Sequence, residues 1–254
     1  MNDDSVRSLN SNSANANSMR IEGIQHLSLV DFPKKLAAVV FTVGCNFRCP
    51  FCHNPSLVVD FSKKSNVLKD DVFVSEDDVF EFLNQRKNQL DGVVISGGEP
   101  TLHQDLPEFI GKIRSLGYAI KLDTNGSNPK MLQSLIDAGL IDYVAMDIKH
   151  TWDNYPRAAG IQDVAKIRQS VAILLQEKID YEFRTTIIRE LHSPEDIVEM
   201  SKQIRGARSY ALQEFVPQIT LDPSFKNNHP FDREQLNVIE PQILRNVRHL
   251  DIRL

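Results

Sequence analysis

Six short apolar runs, each followed by a stretch of helical periodicity, constrain this chain more than any other feature. The runs are 36–43, 93–95, 119–122, 143–146, 181–188 and 210–216. The first, Leu36-Ala-Ala-Val-Val-Phe-Thr-Val43, is apolar almost throughout, as a strand buried on both faces must be. The intervening segments carry helix signals. Ser75-Glu-Asp-Asp78 reads as a capping box, with Asp where Glu or Gln is usual, and opens a helix with Val79, Phe82 and Leu83 on one face. A helix over about 104–116 aligns Leu106, Phe109, Ile110, Ile113 and Leu116 and stops at Gly117. A helix over 131–138 stops at Gly139, and Ile167, Val171, Leu174 and Leu175 mark a longer one. Ser193-Pro194 is an N-cap with proline at the first helical position, opening a helix through about Ile204. A last helix is expected from about Asp232, interrupted near Pro241, before a short strand over 249–254. Residues 21–33 read as a hairpin or lead-in, and 60–74 as polar and irregular.

Strand–helix alternation of this kind builds parallel βα units with right-handed crossovers. Six units are two short of a closed eight-unit barrel. The expected fold is therefore α/β, an open partial (β/α)6 barrel of parallel strands. A doubly wound sheet is the alternative, and alternation alone does not separate the two. The 254 residues, 41% of them hydrophobic, suffice for one large core, expected over residues 19–254 as a single domain. Net charge is −5 with both signs interspersed, so no basic run suggests nucleic acid. No apolar stretch approaches the roughly 20 residues of a membrane span. Residues 1–18 are rich in Asn and Ser without an apolar centre, which reads as a disordered tail and not a secretory signal. Met19 opens the structured part and is a candidate start.

All three cysteines fall within Gly44-Cys45-Asn46-Phe47-Arg48-Cys49-Pro50-Phe51-Cys52-His53-Asn54, directly after the first strand-like run. An odd, clustered set argues against a disulfide framework and for a reducing, cytoplasmic setting. Thiolates favour soft metals and iron–sulfur clusters. A four-iron cube ordinarily takes four cysteines, so three leave one iron open to a substrate. Two other readings stand beside this one. Cys45, Cys49, Cys52 and His53 together make a Cys3His zinc set, although adjacent Cys52 and His53 are poorly placed to reach one ion. Cys49-Pro50-Phe51-Cys52-His53 also fits the C-x-x-C-H pattern of covalent haem attachment, which requires an export signal that the sequence does not display.

The remaining polar motifs follow the other strands. Gly97-Gly98-Glu99 follows the second, Asp123-Thr124-Asn125 ends the third, and Asp147 with Lys149 ends the fourth. Arg184 lies in the fifth, and Gln213 lies near the end of the sixth. In parallel α/β folds the strand C-termini share one end, so these motifs are expected at one mouth, which favours an enzyme over a metal-binding module. The glycines allow close backbone approach to a ligand, and Glu99 can accept from an ammonium. Asp123 and Asp147 can take ribose hydroxyls or a cation, while Lys149 and Arg184 suit a carboxylate. Each motif has a purely structural counterpart: a Gly-Gly turn, a helix-capping turn at Asp123, an ion pair of Arg184 with Glu182 or another carboxylate.

Taken together, these motifs resemble the radical S-adenosylmethionine (SAM) superfamily. From about Glu22 onward the chain looks like a glycyl-radical-enzyme activating protein, closest to the family that activates anaerobic ribonucleoside-triphosphate reductase. The likeness is carried by C-x3-C-x2-C with Phe51 before the last cysteine, by 29–33, 44–55, 96–101, 122–126 and 146–149, and by 181–186. It implies that Cys45, Cys49 and Cys52 ligate three irons of a [4Fe–4S] cluster, with SAM on the fourth. Phe51 would pack beside the adenine, and Gly97, Gly98 and Glu99 would hold the methionine amino group. Asp123, Thr124 and Asp147 match positions that hold a monovalent cation near the SAM carboxylate, Asn125 belongs to the same cofactor-binding stretch, and Lys149 and Arg184 would neutralise that carboxylate. The implied reaction is reductive cleavage of SAM to methionine and a 5′-deoxyadenosyl radical, which takes hydrogen from a glycine of the partner enzyme. Flavodoxin or ferredoxin is the implied electron donor. Related readings are an activase for pyruvate formate-lyase, or a small-molecule enzyme such as 7-carboxy-7-deazaguanine synthase. No second cysteine cluster is present, which excludes the longer activases with a ferredoxin-like insert.

Overall fold

The strand-like runs all become strands of one sheet. The computed structural model describes residues 19–59 and 73–254. The expected tail over 1–18 and most of the irregular segment over 60–74 lie outside these. In chain order the elements are β1 (Ile21–Ser28), β2 (Ala37–Thr42), α1 (Glu76–Gln85), β3 (Gly92–Gly97), α2 (Leu106–Ser115), β4 (Ala119–Thr124), α3 (Pro129–Asp137) and β5 (Tyr143–Asp147). They continue as α4 (Tyr155–Ala159), α5 (Ala165–Leu174), β6 (Asp180–Ile187), α6 (Pro194–Gln203), β7 (Tyr210–Glu214), α7 (Arg233–Ile243) and β8 (Leu250–Arg253).

Among the described residues, eight strands form one sheet in the consecutive order β1 to β8. β1 is the lead-in, antiparallel to β2. Every later neighbour pair is parallel. Val40, Ile95, Leu122, Met146, Phe183 and Leu212 face one side, where they share a core with residues of α1 to α7. The other side holds only a small cluster, Phe32, Ala37, Val39 and Val94, with Phe41, Ala119 and Tyr143 against it. A doubly wound sheet needs a reversal of strand order and helices on both faces. Consecutive order, with all helices of the described residues on one face, decides for the open partial barrel. Because side chains alternate along a strand, the helix-free face of β4 to β8 carries Lys121, Asp123, Asp147, Glu182, Arg184, Gln213 and Arg253. The barrel interior is thus polar.

Local signals act as their chemistry requires. Ser75 and Ser193 each accept from the backbone three residues on, and Asp78 and Asp196 complete both capping boxes. Gly117 and Gly139 follow α2 and α3 with φ of 97° and 62°, as helix stops with left-handed backbone do. Pro241 does not interrupt the last helix, contrary to expectation. It lies in the final turn of α7, and burial of Leu236, Ile239 and Ile243 outweighs the local cost of about 3 kcal/mol. The helix marked by Ile167 to Leu175 is ten residues long, against nine in α3 and five in α4.

His192, in the loop between β6 and α6, is buried. Burial, with His150 beside it, pushes its imidazole down to about 4. The unfolded chain therefore binds the extra proton more readily between about pH 6.5 and 4. Stability present above pH 6.5 is expected to fall as pH drops through that window, by roughly 2 kcal/mol at pH 5. Denaturant unfolding of wild type and His192→Gln at pH 7 and pH 5 checks this. Parallel losses in the two proteins would show that His192 is not the cause.

Candidate active site

The cysteine loop leaves β2 through Gly44, at φ 100°, and is anchored from several directions. Gly44 N–H donates to Leu57 O (2.8 Å), Arg48 N–H to Ala159 O (2.9 Å), and Asp222 N–H to Pro50 O (2.9 Å). The Arg48 guanidinium donates to the carbonyls of Cys45 (2.7 Å) and Phe47 (2.8 Å). Phe47 and Phe51 are buried, with Phe47 edge-on to Tyr155 and Phe51 against Phe225. Cys49 is buried, while Cys45 and Cys52 are half-buried. Cys52 is near enough to act on both Cys45 and Cys49. Burial pushes the free thiol of Cys45 up to about 11 and that of Cys49 up to about 12, with Lys149 working in the opposite direction. Metal binding here must release protons. The His53 ring stacks on Phe215 (5.7 Å, 11°).

Gly97 and Gly98 bring two stretches of backbone together. Gly98 N–H donates to Thr42 O (2.8 Å) and Glu99 N–H to Gly44 O (2.7 Å). A Cβ on Gly98 would stand 2.1 Å from Gly44 O. One on Gly97, at φ 118°, would stand 2.3 Å from Thr42 N. The close approach expected toward a ligand is therefore, in this structure, an approach of β3 to the base of the cysteine loop.

Glu99 is 1% exposed, and its carboxylate is held by the protein itself. Oε1 accepts from the Thr101 backbone (3.1 Å), the Thr101 hydroxyl and the Thr124 hydroxyl (2.7 Å), and Oε2 accepts from Asn125 N–H (2.6 Å). Burial raises its pKa, and these four donors oppose the rise. Glu99 ties the loop after β3 to the loop after β4. Asn125 extends the tie, donating to Asn46 Oδ1 (3.0 Å) with Cys45 Sγ nearby at 3.9 Å. Asp123 does not cap α3, which is capped instead by Asn128.

Across the helix-free face runs a chain of charge. Lys121 Nζ donates to Asp123 Oδ1 (2.5 Å), and Ser96 and Arg184 Nη1 donate to Asp123 Oδ2 (3.1 and 3.3 Å). Arg184 Nε donates to Asp147 Oδ1 (3.0 Å), and Lys149 Nζ donates to Asp147 Oδ2 (2.9 Å). Lys149 Nζ also stands 5.8 Å above the Phe51 ring. Burial alone would raise the Asp147 carboxyl, but Arg184 and Lys149 outweigh it and hold it at about 2. The same balance, through Arg184 and Lys121, lowers Asp123. Three cations meet two carboxylates, leaving one positive charge in excess for an anionic ligand group. Arg184 pairs with both aspartates and not with Glu182, which pairs with Arg253 (2.6 Å). Asp123 and Asp147 stand together as expected, but side-chain cations supply the charge between them where the resemblance places a monovalent cation. Gln213 lies on the same face of β7, and no contact of its side chain with this network is seen.

Residues 39–204 match the radical SAM superfamily. The chain belongs to this superfamily. A [4Fe–4S] cluster and SAM are accordingly its cofactors, and it is an enzyme. A candidate glycyl-radical enzyme activating enzyme of Methanocaldococcus jannaschii is 35% identical over 212 residues, 81% of this chain and 84% of that protein. The pyruvate formate-lyase-activating enzyme of Clostridium pasteurianum is 28% identical over 217 residues, 80% of this chain and 83% of that protein. Among solved structures, QueE from Escherichia coli superposes with a TM-score of 0.51 at 17% identity, covering 93% of this chain and 92% of that one. That last likeness is one of fold.

The residues of this radical SAM protein fit the cofactors. Three free thiols on one anchored loop, with no fourth cysteine in the chain, are the donor set that suits a cube keeping one iron for SAM. The excess positive charge at Lys149 and Arg184 suits a carboxylate. Sequence reading missed Lys121, which is fully buried mid-strand, although a lysine inside an apolar run was the available signal. Among the described residues, no helix is long and apolar enough to cross a membrane.

Proposed function

We propose that this radical SAM enzyme generates a glycyl radical on a partner enzyme, and that the partner is anaerobic ribonucleoside-triphosphate reductase. The observation that carries the reading is the meeting of the cysteine loop and the Asp123–Arg184–Asp147–Lys149 network at one mouth of an open barrel. Two relatives matched over four-fifths of this chain are named as activases of such enzymes. The motifs over 52–54, 123–126 and 146–149 support an activase, and the finer choice of reductase rests on overall likeness.

When bound, the cluster and SAM supply one-electron cleavage of a C–S bond, giving methionine and a 5′-deoxyadenosyl radical that removes hydrogen from a glycine α-carbon. The chain's own residues bind and orient. Cys45, Cys49 and Cys52 hold three irons. Phe51 offers a buried aromatic face for the adenine. Lys149 and Arg184 hold the SAM carboxylate, while Gly97 and Gly98 seat β3 against the cysteine loop and Glu99 ties it to the loop after β4. Thr124 and Asn125 steady Glu99. The gap between β1 and β8 lets a glycine-bearing loop enter from the side. Flavodoxin or ferredoxin delivers the electron. The Clostridium relative favours a second reading, with pyruvate formate-lyase as the target.

The test is anaerobic reconstitution, reduction by dithionite and addition of SAM. The expected product is 5′-deoxyadenosine, falling to background in Cys49→Ala. Electron paramagnetic resonance after mixing with each candidate partner should then show a glycyl radical on the reductase. A signal on pyruvate formate-lyase alone would transfer the target. An iron-loaded, reducible protein that releases no 5′-deoxyadenosine would overturn the reading.

A further inference from the structure

Lys149 sits two residues beyond the end of β5, where the sheet ladder no longer supports the chain. The last ladder contact is Ile148 N–H to Arg184 O (2.8 Å), with Thr185 Oγ1 donating to Ile148 O (2.7 Å). Beyond it, both backbone polar groups of Lys149 are satisfied by side chains. Its N–H donates to Tyr155 Oη (3.1 Å), and its C=O lies 2.9 Å from His192 Nε2. Both partners are fully or almost fully buried, at 0% and 2% exposure. Tyr155 comes from the start of α4, six residues on, and His192 from the loop before α6, forty-three residues on.

Their chemistry is determined. Ile188 N–H can only donate, so His192 Nδ1 accepts from it (3.2 Å), and the ring proton lies on Nε2, where it donates to the Lys149 carbonyl. The neighbouring His150 follows the same rule. Its Nδ1 accepts from Thr151 N–H (2.8 Å) and its Nε2 donates to Leu191 O (3.0 Å). The two rings pack with centroids 4.7 Å apart. The Tyr155 ring is in turn wedged between Trp152 and Phe47, and Phe47 belongs to the cysteine loop. A lysine on a flexible stem is a poor positioning group unless its backbone is fixed. Here it must reach Asp147, the Phe51 face and the neighbourhood of Cys49 at once.

We propose that Tyr155 and His192 are positioning residues that clamp the main chain of Lys149 and thereby set where its ammonium meets SAM. The clamp rests on the reading that Lys149 holds the SAM carboxylate. Tyr155 supplies an acceptor and His192 a donor, so the substitutions that matter are those removing one atom. Tyr155→Phe keeps the ring and loses the acceptor. His192→Gln keeps a donor near the Nε2 position, whereas His192→Asn keeps only the acceptor for Ile188.

Three measurements test it. Hydrogen exchange on the metal-free protein is expected to quicken at the Lys149 amide in Tyr155→Phe and not in Lys149→Met. Equilibrium binding of SAM to the reconstituted, unreduced protein is expected to weaken about tenfold in Tyr155→Phe and His192→Asn, with His192→Gln close to wild type. In a Lys149→Met background, Tyr155→Phe is expected to cause no further loss, because it acts through that lysine. Unchanged exchange at Lys149, equal losses with and without the lysine, or failure of His192→Gln to outperform His192→Asn would each overturn the clamp. Wild-type protein that binds no SAM would instead refute the functional reading, and the exchange result would still decide whether Tyr155 holds the Lys149 backbone.

Discussion

Arg184→Ala is expected to destabilise the metal-free protein by about 3–5 kcal/mol, the typical loss when one partner of a buried ion pair is removed. Arg184 is the group that joins two carboxylates, through Nε to Asp147 (3.0 Å) and Nη1 to Asp123 (3.3 Å). Its removal leaves Asp123 with Lys121, Asp147 with Lys149, and the two carboxylates facing each other across an emptied space. The one-charge excess that suits an anionic ligand disappears with it. SAM binding is therefore expected to be lost even where the variant still folds. Arg184→Lys restores the charge but reaches one aspartate at a time, so it should recover part of the stability and little of the binding. Denaturant unfolding of the apo proteins, with SAM titration of the reconstituted ones, separates the two effects. A stability loss below about 1 kcal/mol would mean that Lys121 and Lys149 already neutralise the pair and that Arg184 serves the ligand alone.

Much of this architecture is legible in the chain because its signals are local. Strand-length apolar runs, serine caps at Ser75 and Ser193, and glycine stops at Gly117 and Gly139 act within a few residues of themselves. The cysteine motif is equally local. What stays hidden depends on curvature and on contacts between distant segments. Alternation of strands and helices is the same for singly and doubly wound sheets, and only the consecutive strand order with helices on one face separates them. Glu99 reads as a ligand group, since nothing nearby in sequence shows that Thr124 and Asn125 arrive from another loop to occupy it. Lys121 is hidden for the converse reason. It looks like an accident in an apolar run until the strand alternation places it on the polar interior beside Asp123. Tyr155 and His192 carry no motif, because they act on the backbone of Lys149, and His192 does so from a loop that meets it only in the fold. Pro241 misleads, since its local cost is outweighed by three buried neighbours on α7.

Gly98→Ala is expected to abolish iron loading while a glycine elsewhere tolerates the same change. The new Cβ would lie 2.1 Å from Gly44 O and 2.6 Å from Gly44 C. Both obstacles are backbone, so no rotamer change relieves them. Gly44 is the residue before Cys45, and it accepts from Glu99 N–H (2.7 Å) while donating to Leu57 (2.8 Å). Pushing it away shifts the first thiol relative to Cys49 and Cys52 and loosens the tie from Glu99 to the loop after β4. Overpacking of this kind costs about 1–3 kcal/mol, and a three-point ligand set tolerates little displacement of any one point. Gly111, mid-helix in α2 with open space within 4 Å of where a methyl group would stand, supplies the contrast. Gly111→Ala is expected to stabilise the protein by roughly 0.5–1 kcal/mol and leave iron content unchanged. Iron and sulfide per chain after anaerobic reconstitution, read with the unfolding midpoint, distinguish the outcomes. Normal iron content in Gly98→Ala would mean that the cysteine loop can move with Gly44 as a rigid unit, and that the glycine pair serves the ligand after all.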